Sequence, residues 1–216
     1  MKTTIGLIRV LTLRDKELLN SHGSLIEAHF PDLRVISRCI DDQPEGIHDE
    51  ETKRIAIPKI FELGKKMVKE NINAIIVSCC DDPGVYELRT HLDIPVIEAG
   101  SSAALLSRAF GSRIGALGIT VNTPRIMKEI LAERLIAEIK PENIKTSLDL
   151  ITEKTMTEVI RAGQTLQRRG AEVITFSCTG YSTIGSSRIL KKALHIPIID
   201  AVLAAGLFTW YSVKIG

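Results

Sequence analysis

The sequence lacks a surplus of charge of either sign. Its 216 residues include 28 lysines and arginines and 26 aspartates and glutamates, which leaves a formal net charge of +2. A surface that binds nucleic acid is expected to carry basic residues interleaved with aromatic ones. The sequence has no such stretch. We therefore expect no nucleic acid as a partner and a small molecule as the substrate.

Long hydrophobic runs are also missing. The most apolar stretch, 196–213, is interrupted by Pro197 and Asp200, whereas a membrane-spanning helix needs about 20 predominantly apolar residues. The apolar run at 5–8 is too short for the core of a signal peptide. These absences predict a cytoplasmic protein with no membrane partner.

Metal-binding patterns are absent from a chain that has only four cysteines and five histidines. The cysteines are not paired at zinc-ribbon spacing, and no two histidines form a His-x-x-x-His pair. We predict no metal site. In a reducing compartment an unpaired thiol is either a buried apolar side chain or a reactive group, depending on where it lies.

Strand-like and helical patterns alternate along the whole chain. This alternation predicts an α/β fold with parallel sheets joined by helical crossovers. Strand-like runs occupy 5–11, 33–37, 74–78, 95–97, 114–118, 144–148, 173–177 and 197–199. Apolar residues at three- and four-residue steps predict helices over 51–70, 124–139 and 153–169.

The two halves of the sequence repeat the same markers in the same order. An Ile-Gly pair, a strand that closes on Ser-Cys, and an Ile-Pro strand followed by an acidic residue and alanine each occur twice. The pairs of segments are 5–6 and 114–115, 74–79 and 173–178, and 94–99 and 196–201. This repetition predicts two similar lobes, 1–98 and 99–202, with a C-terminal helix at about 203–216 packing back on the first lobe.

Two such lobes are expected to face each other about a pseudo-twofold axis, with the active site in the cleft between them. Ligands of open α/β sheets bind beyond the carboxyl ends of the strands. Cys79 and Cys178 both follow such ends, so we expect one thiol from each lobe in the cleft. Gly84 and Gly180 would let the neighbouring backbone approach a ligand closely.

A pair of facing thiols suits the inversion of a carbon centre. One group must remove a proton from one face while another returns a proton to the opposite face. A free cysteine has a pKa of about 8.5, so one thiolate and one thiol can coexist near neutral pH. A single cysteine after a buried strand is more often a small hydrophobic residue, but two at equivalent repeat positions favour catalysis.

The motifs at these cysteines resemble those of the aspartate/glutamate/hydantoin racemase superfamily over nearly the whole chain. Residues 79–84, Cys-Cys-Asp-Asp-Pro-Gly, with Leu88-Arg89, are similar to the hydantoin and allantoin racemases, as is the glycine at Gly180. Amino-acid racemases of the superfamily instead carry Asn-Thr after the first cysteine and Thr-Glu after the second. Neither pair is present here.

The resemblance implies two Rossmann-like lobes and a homo-oligomer that racemises 5-substituted hydantoins or allantoin-like compounds without metal or other cofactor. Cys79 and Cys178 would be the two catalytic groups. The implied substrate-binding residues follow the first and third strands of each lobe: Val10, Ser78, Cys80, Gly118, Ile119, Thr120, Thr179 and Gly180. The first-strand loop lacks the Asn-Pro-Asn that many relatives carry.

Several alternatives stay open at this point. The protein could be an aspartate or glutamate racemase, a non-catalytic two-lobed binding protein, or a thiol redox protein that uses Cys79 and Cys80. Cys80 could fill space or form a vicinal disulfide, and Cys39 could reach the cleft or belong to the core. The hydroxyls of Thr120 and Thr179 could bind the ligand or only cap loops.

Overall fold

A computed structural model describes residues 2–144, 146–151 and 153–216 of the chain. It divides into two compact units. The first runs to Ala99 and takes in Ala205–Gly216, and the second is Gly100–Ala204.

The first unit is a parallel four-stranded sheet with helical crossovers. In chain order its elements are β1 (Thr3–Arg9), α1 (Lys16–His29), β2 (Leu33–Cys39), α2 (Glu50–Val68), β3 (Ile75–Ser78), α3 (Val85–His91) and β4 (Val96–Glu98). The strand order is β2-β1-β3-β4. β3 is buried along its whole length, as expected of a central parallel strand covered on both faces.

The second unit begins within α4 (Ala99–Arg108) and repeats this arrangement. Its elements are β5 (Ile114–Leu117), α5 (Arg125–Leu131), β6 (Leu135–Ile139), α6 (Glu153–Arg168), β7 (Val173–Phe176), α7 (Gly180–Thr183), α8 (Ser186–Leu194), β8 (Ile198–Ile199) and α9 (Ala201–Lys214), whose last turns belong to the first unit. The strand order is β6-β5-β7-β8, all parallel. The predicted α/β fold with two parallel sheets is confirmed.

The repeated Ile-Gly marker has a packing cause. A Cβ added to Gly6 would lie 2.8 Å from Cδ1 of Ile72, and one added to Gly115 would lie 2.9 Å from Cδ2 of Leu166. Both distances are shorter than a carbon–carbon contact of about 3.5 Å allows. In each unit a glycine therefore occupies the position on the first strand where a core side chain packs against the backbone.

Two predicted elements of the second unit are wrong. The expected helix over 124–139 ends at Leu131, where Ala132 adopts a positive φ of 48°, and Leu135–Ile139 forms the second strand of the sheet. Its apolar residues recur at spacings that suit either a helix or a partly buried edge strand. The strand expected over 144–148 is replaced by a loop and a 3-10 helix at Ser147–Ile151, and Lys145 lies outside the described residues.

Candidate active site

The first predicted thiol lies at the carboxyl edge of the first sheet, directly after β3. The backbone N–H of Asp82 donates to the carbonyl of Cys79 across 3.2 Å, so the chain turns immediately after the strand. Gly84 ends this loop in the left-handed region, with φ 71°. Cys79 is partly buried and Cys80 is 2% exposed. The side chain of Cys80 therefore lies in the core, as the space-filling interpretation expects.

Ser78 is anchored by a buried histidine that the sequence patterns did not single out. The hydroxyl of Ser78 and Nδ1 of His22 share a hydrogen bond of 2.8 Å, and both residues are buried. Arg9 pairs with Ser78 in the β1–β3 register, and its Nη1 donates to the carbonyl of Leu18 across 2.7 Å. Polar contacts thus fasten helix α1 to the strand end that carries Cys79.

An ion pair lies beside the same loop. Nζ of Lys53, on α2, is 2.9 Å from Oδ2 of Asp81, and the two side chains are only 24% and 20% exposed. Burial alone would lower the pKa of Lys53, but the hydrogen bond and charge of Asp81, with smaller contributions from Glu50 and Cys79, raise it above its usual value. Burial raises the pKa of Asp81, against the opposing effect of Lys53. Cys79 therefore belongs to a charged environment.

The loop after β1 offers mainly backbone groups. Val10 and Leu11 are 6% and 7% exposed, and Val10 packs in the hydrophobic core of the first unit. The hydroxyl of Thr12 donates to the carbonyl of Ile40 across 2.8 Å and accepts from the backbone N–H of Gln43, also at 2.8 Å. These bonds tie the loop to the segment after β2. Because the side chain of Val10 packs in the core, the part of Val10 that can contact a ligand is its main chain.

The second predicted thiol follows β7 in a different environment. The backbone N–H of Gly180 donates to Sγ of Cys178 across 3.4 Å. A Cβ on Gly180 would lie 2.7 Å from Cδ1 of Leu150, so only glycine fits in this first residue of α7 without displacing its neighbour. An N–H directed at sulfur favours the thiolate over the thiol.

A buried tyrosine joins the two predicted binding loops of the second unit. The hydroxyl of Tyr181 donates to the carbonyl of Gly118 across 2.9 Å. Burial, reinforced by the nearby Cys178, raises the pKa of Tyr181 well above its usual value. The phenol therefore stays protonated and holds the loop after β5 against the helix that follows Cys178.

The other predicted residues of these loops differ in how available they are. Ile119 is 6% exposed, and the hydroxyl of Thr120 donates to the carbonyl of Asn122 across 2.7 Å. That bond is the loop-capping alternative, although the hydroxyl oxygen can still accept a hydrogen bond. Thr179 is 9% exposed, and its carbonyl accepts from the backbone N–H of Ser182 at 3.1 Å.

A buried carboxyl group forms hydrogen bonds with α7 and with the start of α9. Oδ1 of Asp200 accepts from the hydroxyl of Ser182 at 2.7 Å and from the backbone N–H of Val202 at 3.0 Å, at the start of α9. Burial raises the pKa of Asp200 in spite of these hydrogen bonds. The equivalent residue of the first unit, Glu98, instead forms an ion pair with Arg89.

Within each unit the fold brings the predicted residues to one sheet edge. β1 neighbours β3 and β5 neighbours β7, so the loops that follow these strands lie side by side. The contacts that sequence patterns missed involve His22, Lys53 and Tyr181. No spacing rule connects them with their partners, since His22 and Ser78 are 56 residues apart.

The four cysteines are not joined in disulfides. Among the described residues, no group of three or more histidine, cysteine, aspartate or glutamate side chains could hold a metal ion. Over the same ranges, no helix is both long and apolar enough to cross a membrane.

Comparison with known proteins gives consistent matches. The model of the family described as Asp/Glu/Hydantoin racemase matches residues 19–206. A hydantoin racemase from Pseudomonas sp. (strain NS671) is 28% identical over 194 residues, which cover 86% of this chain and 76% of that protein. A second hydantoin racemase, from Paenarthrobacter aurescens, is 27% identical over 168 residues, 74% of this chain and 69% of that protein.

Solved structures share the fold. An allantoin racemase from Klebsiella pneumoniae superposes with a TM-score of 0.86 at 19% identity, covering 100% of this chain and 89% of that one. A glutamate racemase from Bacillus anthracis gives a TM-score of 0.69, also at 19% identity, over 99% of this chain and 83% of that one. At such identities the likeness concerns the two-lobed fold alone.

Proposed function

We propose a function from the premise that this chain belongs to the Asp/Glu/hydantoin racemase family, whose model matches residues 19–206. Membership and the hydantoin racemase relatives make it an isomerase of the racemase class. The proposal is that Cys79 and Cys178 racemise 5-substituted hydantoins or allantoin-like compounds. One observation carries it: each thiol lies within two residues of the end of the third strand of a sheet, and the two sheets have the same strand order.

The reaction needs one base and one acid on opposite faces of the ring. The thiolate of one cysteine takes the proton from C5, and the electron pair of the broken C–H bond passes into the adjacent carbonyl to form an enolate. The thiol of the other cysteine then protonates C5 from the opposite face and becomes the new thiolate. For the other enantiomer the two cysteines exchange roles, and no metal or pyridoxal phosphate is required.

The surrounding loops would bind the polar edge of the ring. Backbone N–H groups near Thr120 and Thr179 could stabilise the developing oxyanion, as donors aimed at new negative charge do in other enzymes. The proposed contacts are the main chain of Val10 and the loops 118–120 and 179–180. Tyr181 supports this arrangement, because its bond to Gly118 holds the two loops of the second unit together.

Two sequence features support a cyclic ureide over an amino acid. The loop 79–84 has the Asp-Pro-Gly ending of the hydantoin and allantoin branch, and Gly180 stands where amino-acid racemases carry glutamate. In this structure a side chain at Gly180 would collide with Leu150. A Thr-Glu pair would therefore not fit the local packing.

The experiment is proton–deuterium exchange at C5 of enantiopure hydantoins and allantoin in heavy water, followed by NMR and by optical rotation. The variants are Cys79→Ser and Cys178→Ser, with Cys39→Ser as the matched control because that thiol lies at the end of β2 and donates to the carbonyl of Leu13. General acid–base groups contribute about 100- to 10,000-fold, so each of the first two variants should lose at least about 100-fold in racemisation. The control should keep its activity.

Two outcomes would contradict the proposal. Full racemisation by either Cys79→Ser or Cys178→Ser would overturn the two-thiol mechanism. No exchange of any hydantoin or of allantoin by the wild type would overturn the substrate class. In that case exchange at Cα of aspartate or glutamate would identify an amino-acid racemase.

We also propose that the protein is a cytoplasmic homo-oligomer, as the family resemblance implies. Light scattering of the purified chain measures its mass in solution directly. A mass equal to the 23.8 kDa of a single chain would contradict the oligomer.

A further inference from the structure

Lys53 is a long side chain held against the loop that follows the first thiol. It lies in the first turns of α2, a helix that starts with a capping box between Asp49 and Thr52. Its ammonium group reaches the loop after β3 and pairs with Asp81 at 2.9 Å. Because both side chains are largely buried, the pair is screened less by water than a surface pair.

We propose that Lys53, tethered by Asp81, keeps a positive charge beside Cys79 and thereby favours the thiolate form of that cysteine. Its part in turnover rests on the proposed function, but its effect on the thiol does not. Lys53 is in this sense a positioning residue, since it acts through Cys79 and not on the substrate.

The charge balance around Lys53 supports this role. Its pKa is raised in spite of burial, by Asp81 first and then by Glu50 and Cys79, so the ammonium group remains charged at neutral pH. A charge–charge interaction is mutual, and a thiolate that stabilises a cation is stabilised by it to the same extent. Asp81 and Glu50 also act on Lys53. A negative charge near a thiol disfavours its thiolate form, so removing the charge of Asp81 should have the opposite effect on Cys79.

The experiment measures the rate at which iodoacetamide alkylates each cysteine of the protein between about pH 5.5 and about pH 9.5, resolved by peptide mass spectrometry. The ionic strength is held at about 0.1 M, so that the screening of charges stays constant. The variants are Lys53→Met, which removes the charge, and Lys53→Arg, which keeps it. Lys65→Met is the control, because Lys65 lies on the same helix but pairs with the exposed Glu62.

In Lys53→Met, Cys79 should be alkylated about tenfold more slowly at pH 7, since a neighbouring opposite charge moves a pKa by about one unit or more. Lys53→Arg and Lys65→Met should stay within about twofold of the wild type, because both leave a cation at position 53. The rate at Cys178 should be the same in all three variants. An unchanged rate at Cys79 in Lys53→Met would overturn the proposal, and so would an equal slowing at Cys178.

Asp81→Asn separates an electrostatic effect from structural damage. Asparagine keeps an oxygen that can accept from Lys53 but removes the negative charge, so Cys79 should react faster at pH 7 than in the wild type. If the substitutions only loosened the loop, Asp81→Asn and Lys53→Met would change the alkylation rate of Cys79 in the same direction. That result would contradict the proposal.

The alkylation assay uses no substrate, so its result is independent of the racemase assignment. If the wild type does not turn over hydantoins but the variants change the alkylation rate of Cys79 as expected, the proposed function alone is overturned. An active racemase whose Cys79 is indifferent to Lys53→Met would overturn the role of Lys53 alone. In an active enzyme, the acid side of the kcat/KM profile should move to higher pH in Lys53→Met and stay in place in Lys53→Arg.

Discussion

The two thiol loops of this protein occupy the same place in two sheets of the same topology, yet their surroundings differ. Cys79 has the Lys53–Asp81 ion pair next to its loop and the buried His22–Ser78 pair behind it. Cys178 receives a backbone N–H from Gly180 and lies near the protonated phenol of Tyr181. The repeat therefore sets where the thiols lie, while the side chains around them set their electrostatics.

The same contrast recurs at the end of the fourth strand of each sheet. Glu98 and Asp200 are equivalent in the repeat, but Glu98 forms an ion pair with Arg89 and Asp200 accepts from the hydroxyl of Ser182. At this position the first unit has an ion pair. The second unit has a buried carboxyl group that accepts from a hydroxyl and from backbone N–H groups.

The largest expected effect is that of Gly180→Ala. The new methyl group would lie 2.7 Å from Leu150, and overpacking of this kind costs up to about 3 kcal/mol. It would also displace the N–H that Cys178 receives. We expect a lower urea midpoint and slower alkylation of Cys178, with no change at Cys79. A variant as stable and as reactive as the wild type would show that the close packing of α7 is unnecessary.

The two repeated serines should respond differently to alanine. Ser78→Ala leaves a ring nitrogen of the buried His22 without its hydroxyl partner, and such a loss costs about 2 kcal/mol. Ser177→Ala removes a hydroxyl that lies close to Gly118, and we expect a smaller loss. Urea unfolding of both variants measures the difference. Equal destabilisation would mean that the His22–Ser78 bond contributes no more to the free energy of unfolding than the contacts of Ser177 do.

Tyr181→Phe tests the link between the two loops of the second unit. It removes the donor to the carbonyl of Gly118 and should cost about 1 kcal/mol of stability. Because the ring still packs on Phe176, with centroids 5.1 Å apart, the fold should persist. A higher KM with a smaller change in kcat is expected if the loop binds substrate, and an unchanged KM would argue against that role.

The smallest effects are expected at Glu98 and Asp200. Burial raises the pKa of Asp200, so the folded state binds its proton more tightly than the unfolded state. Stability from this group is therefore present at low pH and is lost as the pH rises through the folded pKa. Asp200→Asn should remove that loss and leave stability at pH 7 equal or higher, because asparagine is an equally good N-cap.

Glu98→Gln provides the opposite case. It breaks the ion pair with Arg89 and should lower stability by less than about 1 kcal/mol, as is typical of partly exposed pairs. Urea unfolding at pH 5 and pH 7 of both variants measures the contrast. If Asp200→Asn proved the more destabilising of the two at pH 7, the account of its buried carboxyl group would be wrong.

Much of the fold could be predicted because its signals are local. The helices α2 and α6 and the strands that end at the two Ser-Cys pairs follow from apolar spacing and from the repeat. The prediction failed at β6, because Leu135–Ile139 has a pattern that suits either a helix or an edge strand, and hydrogen bonding to β5 decides between them.

The sequence by itself determined the α/β class, the internal repeat and the position of a thiol after the third strand of each half, because periodicity and local order encode these features. Only the tertiary structure decided which side chains surround each thiol. Lys53, His22 and Tyr181 reach their partners across sheets and helices, and Asp200 is buried beside Ser182 and the start of α9. Burial and distance, which no sequence pattern specifies, are what give the two repeated sites their different electrostatics.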